Sequence, residues 1–148
     1  MFKPYIKVNH WREAFTEEWR LRWPDFEPWE FATDSGALLI STDLLDKLQT
    51  LRDRYGQALR INCGYRDEQH NKRVGGGKRS WHMKGVAVDI HIKSVSMGRK
   101  LEKLAREIGF TAVGRYNGVN TRGRFIHLDT RPPKPSGALY QWGSWNIT

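Results

Sequence analysis

The sequence predicts an α+β fold, a single small domain with a central, mostly antiparallel sheet packed with helices. Three observations predict it. Leu44, Leu45, Leu48, Leu51 and Tyr55 line one helical face, and Met97, Leu101, Leu104, Ala105 and Ile108 line another. Residues 85–92 and 124–130 instead alternate with a period of two, which is the strand signature. Helices before, between and around short strands argue for α+β.

Taken in order, residues 1–35 hold Trp11, Trp19, Trp23 and Trp29 with charges of both signs, Pro24 and Pro28. Trp11, Phe15 and Trp19 stand at i, i+4 and i+8, which predicts an amphipathic helix over 11–21 ended by Pro24. The segment reads as an apolar lid packed on the core. Ser41 or Thr42 can cap the next helix and Gly56 can close it. Residues 58–63 alternate as a short strand, Gly64 turns the chain into Tyr65-Arg66-Asp67, and a polar helix over 67–74 follows.

Gly75-Gly76-Gly77-Lys78-Arg79-Ser80 is not a phosphate loop. That motif needs a glycine where Lys72 stands and a Ser or Thr where Arg79 stands. It reads as a flexible basic lip beside a site. In the strand that follows, Val86, Val88, Ile90 and Ile92 point to the core, and Ala87, Asp89 and His91 point the other way. A helix over 96–108 ends at Gly109, residues 111–115 form a strand, and Asn117-Gly118 marks a turn. On the last strand, Ile126 and Leu128 face the core while Phe125, His127 and Asp129 do not. The tail, 131–148, opens with a proline-rich loop, and Trp142 and Trp145 pack back on the domain.

Composition bounds the function. With 148 residues the chain makes one domain, 1–148. The excess of 25 Lys+Arg over 16 Asp+Glu, a net charge of +9, favours an anionic partner: nucleic acid, an anionic membrane surface or an acidic wall polymer. Cys63 is the only cysteine, so no intramolecular disulfide forms, and it reads as a small buried residue beside a strand. The N-terminus lacks the apolar segment of a secretory signal, and no stretch approaches the roughly 18 apolar residues of a membrane span. The expectation is a protein made in the cytoplasm, without membrane insertion, that reaches any outside target only after release or export.

Ser80 to Asp89 carries the first chemistry. A catalytic zinc site takes three protein ligands from His and carboxylate and keeps an open position. His82, Asp89 and His127 supply that set. Two neutral imidazoles and one carboxylate leave the ion a net positive charge, enough to polarise a carbonyl and lower the pKa of water towards ~7.

The string Ser80-x-His82-x-x-Gly85-x-Ala87-x-Asp89-Ile90 follows Gly64-Tyr65-Arg66, Asn71 and Gly75-Gly76, and precedes Phe125-Ile126-His127-Leu128-Asp129. Over residues 30–130 this resembles the D-alanyl-D-alanine carboxypeptidase family of peptidoglycan zinc peptidases, nearest the branch common in phages and prophages. The resemblance implies an α+β fold shared with the hedgehog signalling domain. It also implies Zn2+ on His82, Asp89 and His127, hydrolysis in the stem peptides of cell wall, and Arg66 near the substrate, where a guanidinium can hold a carboxylate or an oxyanion.

The chain departs from better-known members at the general base. They carry an acid or His two or three residues before the last ligand, where this chain has Phe125 and Arg124. Asp129 is the best substitute as base, with holding the tautomer of His127 as its other reading. Asp129 as third ligand with His127 as base, and His91 as base, rank below. His10 and His70 read as surface residues, Ser80 as a hydrogen-bonding turn residue, and Tyr116 as a packing residue before a substrate contact.

The leading expectation is a monomeric zinc peptidase acting on peptidoglycan stem peptides, as an endolysin-like endopeptidase or a D,D-carboxypeptidase. The alternatives are a non-catalytic zinc-containing wall-binding module and a basic nucleic-acid-binding protein. The scattered basic residues and the lack of a recognised motif disfavour specific nucleic-acid binding.

Overall fold

The period-two segments fold as neighbouring strands of a sheet whose two faces differ. The structure, a computed structural model, describes residues 4–119 and 121–146. Residues 1–3 of the expected lid and 147–148 of the expected tail lie outside the described residues. The strands are β1 (Tyr5–Val8), β2 (Leu38–Ser41), β3 (Ile61–Cys63), β4 (Ala87–His91), β5 (Ala112–Asn117), β6 (Arg124–Asp129) and β7 (Tyr140–Gly143). The α-helices are α1 (Glu17–Arg22), α2 (Thr42–Tyr55), α3 (Glu68–Arg73) and α4 (Val95–Ile108).

β1 and β2 pair antiparallel, and the other strands form a sheet in the order β3-β4-β6-β5-β7, antiparallel except for the parallel pair β5-β7. This is the α+β architecture the sequence predicts. On one face Val88, Ile90, Val113, Ile126 and Leu128 are buried against Leu44, Leu45, Leu48 and Leu51 of α2 and Leu101 and Ala105 of α4. Each such aliphatic side chain contributes about 1.5–3 kcal/mol on leaving water, and this is what fixes the other face towards the site. Among the described residues no helix is long and apolar enough to cross a membrane.

The N-terminal segment joins the same core through Trp19, Trp23, Phe26 and Phe31, all buried, whereas Trp29 is 54% exposed. Trp19 Nε1 donates to the Phe26 carbonyl at 2.9 Å, and Trp23 Nε1 donates to Asp46 on α2 at 2.9 Å. The helix expected over 11–21 is instead two pieces, a one-turn helix Trp11–Ala14 and α1. Thr16 causes the break: its hydroxyl accepts the Trp19 N–H at 3.3 Å and starts a new helix. His10 is likewise no idle surface residue, since its Nδ1 caps Arg12 N at 3.2 Å. His70 Nδ1 lies 2.9 Å from Thr33 Oγ1 and is partly buried. The expected tail contains β7, a strand its sequence does not announce.

Candidate metal centre and active-site cleft

The register of the sheet builds the site. Asp89 on β4 stands opposite His127 on β6 and, on its other side, opposite Cys63 on β3; Gly114 on β5 follows His127, and Trp142 on β7 follows Gly114. One row of the open face therefore runs Cys63, Asp89, His127, Gly114, Trp142. A Cβ at Gly114 would come within 2.6 Å of the Trp142 indole. Glycine there lets Trp142 reach over to His127, ring centroids 5.2 Å apart.

His82 arrives from a one-turn helix, Trp81–Lys84, started by Ser80, whose Oγ accepts the His82 N–H at 3.2 Å. Gly85 ends it with φ 71°, in the left-handed region, where a Cβ would overlap the Leu39 carbonyl. That sharp ending turns the chain straight into β4 and points His82 at Asp89.

Partner chemistry fixes the ring tautomers. His82 Nδ1 lies 2.8 Å from the Gly64 carbonyl, which can only accept, so Nδ1 carries the proton. His127 Nε2 lies 2.7 Å from the Asp129 carboxylate, so Nε2 carries the proton. The remaining nitrogens, His82 Nε2 and His127 Nδ1, both approach Asp89 Oδ1, at 3.3 and 2.9 Å. With neutral rings, both inner nitrogens would set lone pairs against the Asp89 carboxylate, an arrangement that added positive charge, a proton or a bound metal ion, relieves.

The titration directions say the same. Burial pushes the His82 pKa down, but hydrogen bonds with Asp89 and Cys63 outweigh it and raise it to about 9. Burial likewise lowers His127, and Asp129 and Asp89 raise it overall. Burial pushes Asp89 up, yet the two histidines hold its carboxyl well below the usual range. Two imidazoles and a carboxylate with a demand for positive charge fit a zinc ion in their donor chemistry.

Asp129 does not face the cleft as a free base. It is fully buried. Its Oδ1 accepts Arg131 N and Nε at 3.1 and 2.9 Å, and its Oδ2 accepts Arg131 Nη2 and His127 Nε2, each at 2.7 Å. Both oxygens are committed, so the geometry matches the tautomer-holding role and corrects the expectation of a base; the same commitments leave no oxygen to act as third ligand. His91 is paired with Phe125, two residues along the strands from the Asp89–His127 pair, and does not line the cleft.

The cleft over these groups encloses about 620 Å³ between Trp81 and Trp142, with Arg66, the Gly75–Gly77 lip and Tyr116 on its walls. Arg66 Nη2 donates to Ser80 Oγ at 3.3 Å, while its Nε is buried without a partner. Tyr116 stacks on Phe125, centroids 4.1 Å apart, and its hydroxyl accepts Trp142 Nε1 at 3.0 Å. It is thus a wall of the cleft as well as a packing residue.

Sequence reasoning missed Cys63, Arg131, Trp81 and Trp142 as site residues. Cys63 Sγ, a His82 ring nitrogen and an Asp89 oxygen all lie within 4.8 Å of one another. Arg131 is stacked among Trp81, Tyr140 and Trp142, 4.9–5.3 Å from their ring centres. The alternation of 58–63 was the one signal that could have put Cys63 on the Asp89 face.

Comparison with known proteins bears on the same residues. The family described as Peptidase M15 matches residues 24–129, a span holding His82, Asp89, His127 and Asp129. The curated protein "Peptidoglycan L,D-endopeptidase MepK" of Escherichia coli is 30% identical over 102 residues, covering 64% of this chain and 53% of that protein. The protein of the same name from Shigella flexneri matches to the same extent. The chain spans about half the length of the curated relatives it matches.

Proposed function

Because the chain belongs to the peptidase M15 family, we propose that it hydrolyses an amide bond in the stem peptides of bacterial peptidoglycan, with zinc held by His82, Asp89 and His127. The observation that carries this reading is the meeting of His82 Nε2 and His127 Nδ1 at Asp89 Oδ1 on the floor of an open cleft. Zinc bound there supplies a Lewis acid for the scissile carbonyl and for water.

The chain's own residues do the rest. The Gly64 carbonyl and the Asp129 carboxylate hold the rings so that their inner nitrogens face one point. Arg66, which lines the cleft, holds a substrate carboxylate or the carbonyl oxygen as negative charge grows on it. Tyr116 accepts a hydrogen bond from Trp142, which leaves its own O–H free to donate to the same oxygen. Trp81 and Trp142 flank the bond and restrict water. No carboxylate is assigned the role of base.

The named activity of the relatives favours an endopeptidase, with a D,D-carboxypeptidase as the other peptidase reading. The protein would act as a monomer and, being made inside the bacterial host cell, would meet the wall after release or export, as an endolysin does. One observation favours a non-catalytic wall-binding module: among the described residues lining the cleft, Asp89 is the only carboxylate. Digestion of purified peptidoglycan followed by mass spectrometry separates the two. Soluble peptides of one defined mass difference are expected and identify the bond; protein bound to wall with nothing released would establish the module instead.

A further inference from the structure

We propose that Arg131 is a specificity residue of this cleft: it holds a carboxylate of the stem peptide beside the scissile bond, so that free-acid peptides are preferred over their amides. The inference rests on the peptidase reading above. A guanidinium carries five N–H bonds in one plane, enough for two forks. Asp129 occupies one of them, with Nε donating to Oδ1 at 2.9 Å and Nη2 donating to Oδ2 at 2.7 Å. The other edge, formed by Nη1 and the second N–H of Nη2, has no hydrogen-bond partner among the described residues. Its parallel N–H bonds match the two oxygens of a carboxylate.

Arg131 lines the cleft, and its side chain keeps 16% exposure although the Asp129 carboxylate it grips is fully buried. Trp81, Tyr140 and Trp142 stand round it, with ring centres 4.9–5.3 Å from the guanidinium carbon. Held by Asp129 and by these rings, the group is ordered before a ligand arrives, so little freedom is lost on binding. The rings also keep much of the water away, which strengthens an ionic hydrogen bond.

The charge of the cleft points to an anion as well. Its described lining residues include the arginines Arg66, Arg122 and Arg131, and Asp89 as the one carboxylate. With Asp129 set against Arg131, Arg66 and Arg122 still outweigh Asp89. Arg66 is tied to the His82 side of the metal centre through Ser80 Oγ, and Arg131 is tied to the His127 side through Asp129. One guanidinium can therefore serve the reacting carbonyl while the other reads a carboxylate.

The test compares soluble stem peptides as free acids and with their carboxyls converted to amides, using the whole zinc-loaded chain. Wild type should prefer the free acid by about 10–100-fold in kcat/KM, the range expected for a charged, forked hydrogen bond. Arg131→Lys, checked for metal content, should turn over the two forms nearly equally, because an ammonium engaged with Asp129 has no second fork. A purely structural role would slow both forms alike and leave their ratio unchanged. Arg66→Ala should keep the preference, and this variant decides the matter alone if Arg131→Lys does not fold. Equal use of the two forms by wild type, or a preference lost in Arg66→Ala, would overturn the assignment. Cleavage of neither form would instead contradict the peptidase reading. Calorimetry then judges the subsite separately: tighter binding of the free acid by wild type but not by Arg131→Lys supports it, and equal binding overturns it.

Discussion

Asp129 receives hydrogen bonds from Arg131 N, Nε and Nη2 and from His127 Nε2. Burial raises its pKa, but those partners bring it down to about 2, so it stays ionised while sealed from water. Its negative charge reaches the site through the His127 ring and through Arg131. Asp129→Asn keeps the shape and removes the charge that fixes the tautomer, so metal affinity should fall by about 10–100-fold, read by competition with a chromophoric chelator. An unchanged affinity would mean that His127 is oriented by something else. At this scale the sequence named His82, Asp89, His127 and Asp129 from alternation and motif. It could not divide base from support, because that division depends on Arg131, which Trp81 and two rings of β7, Tyr140 and Trp142, hold in place.

Elements deliver these residues, and two of the joints are testable. Gly85 closes the turn that carries His82, at φ 71° and against the Leu39 backbone. Gly85→Ala should cost more than about 1 kcal/mol and lower metal content together with stability, by denaturant melts and metal analysis. Across the sheet, α4 is clamped to β5 and the tail by Glu102, which accepts Arg115 Nε at 2.7 Å, Arg106 Nη2 at 2.8 Å and Trp145 Nε1 at 2.9 Å. The hydrogen bond from Arg115 is the main cause that draws its pKa from 4.5 to about 2. A depressed carboxylate pKa stabilises the fold above the unfolded value and ceases to as pH falls through the folded one. Glu102→Gln should therefore melt below wild type at pH 7, and the gap should close between about pH 4.5 and 2. A gap that is constant with pH would remove the charge from the account. The long helices and the site strands were legible because one periodicity runs through each. The break at Thr16 was not, since a cap inside an apolar stripe leaves the stripe intact, and β7 was not, since its partner β5 lies far away in sequence.

Across the whole molecule, the same sheet separates two tasks. One face is filled by aliphatic side chains of α2 and α4, and the other gathers the ionisable row into a cleft. The net charge of +9 suits an anionic polymer such as the peptidoglycan proposed as substrate. The central claim is that one metal ion on His82, Asp89 and His127 makes this cleft a peptidase. The most direct measurement is release of soluble peptide from purified peptidoglycan by chelator-treated protein, titrated with zinc. Release should be absent without metal, rise to a plateau at one equivalent, and stay absent in His82→Ala, Asp89→Ala and His127→Ala, which should also lose the metal. Release that ignores the chelator, or full zinc content in all three variants, would contradict it.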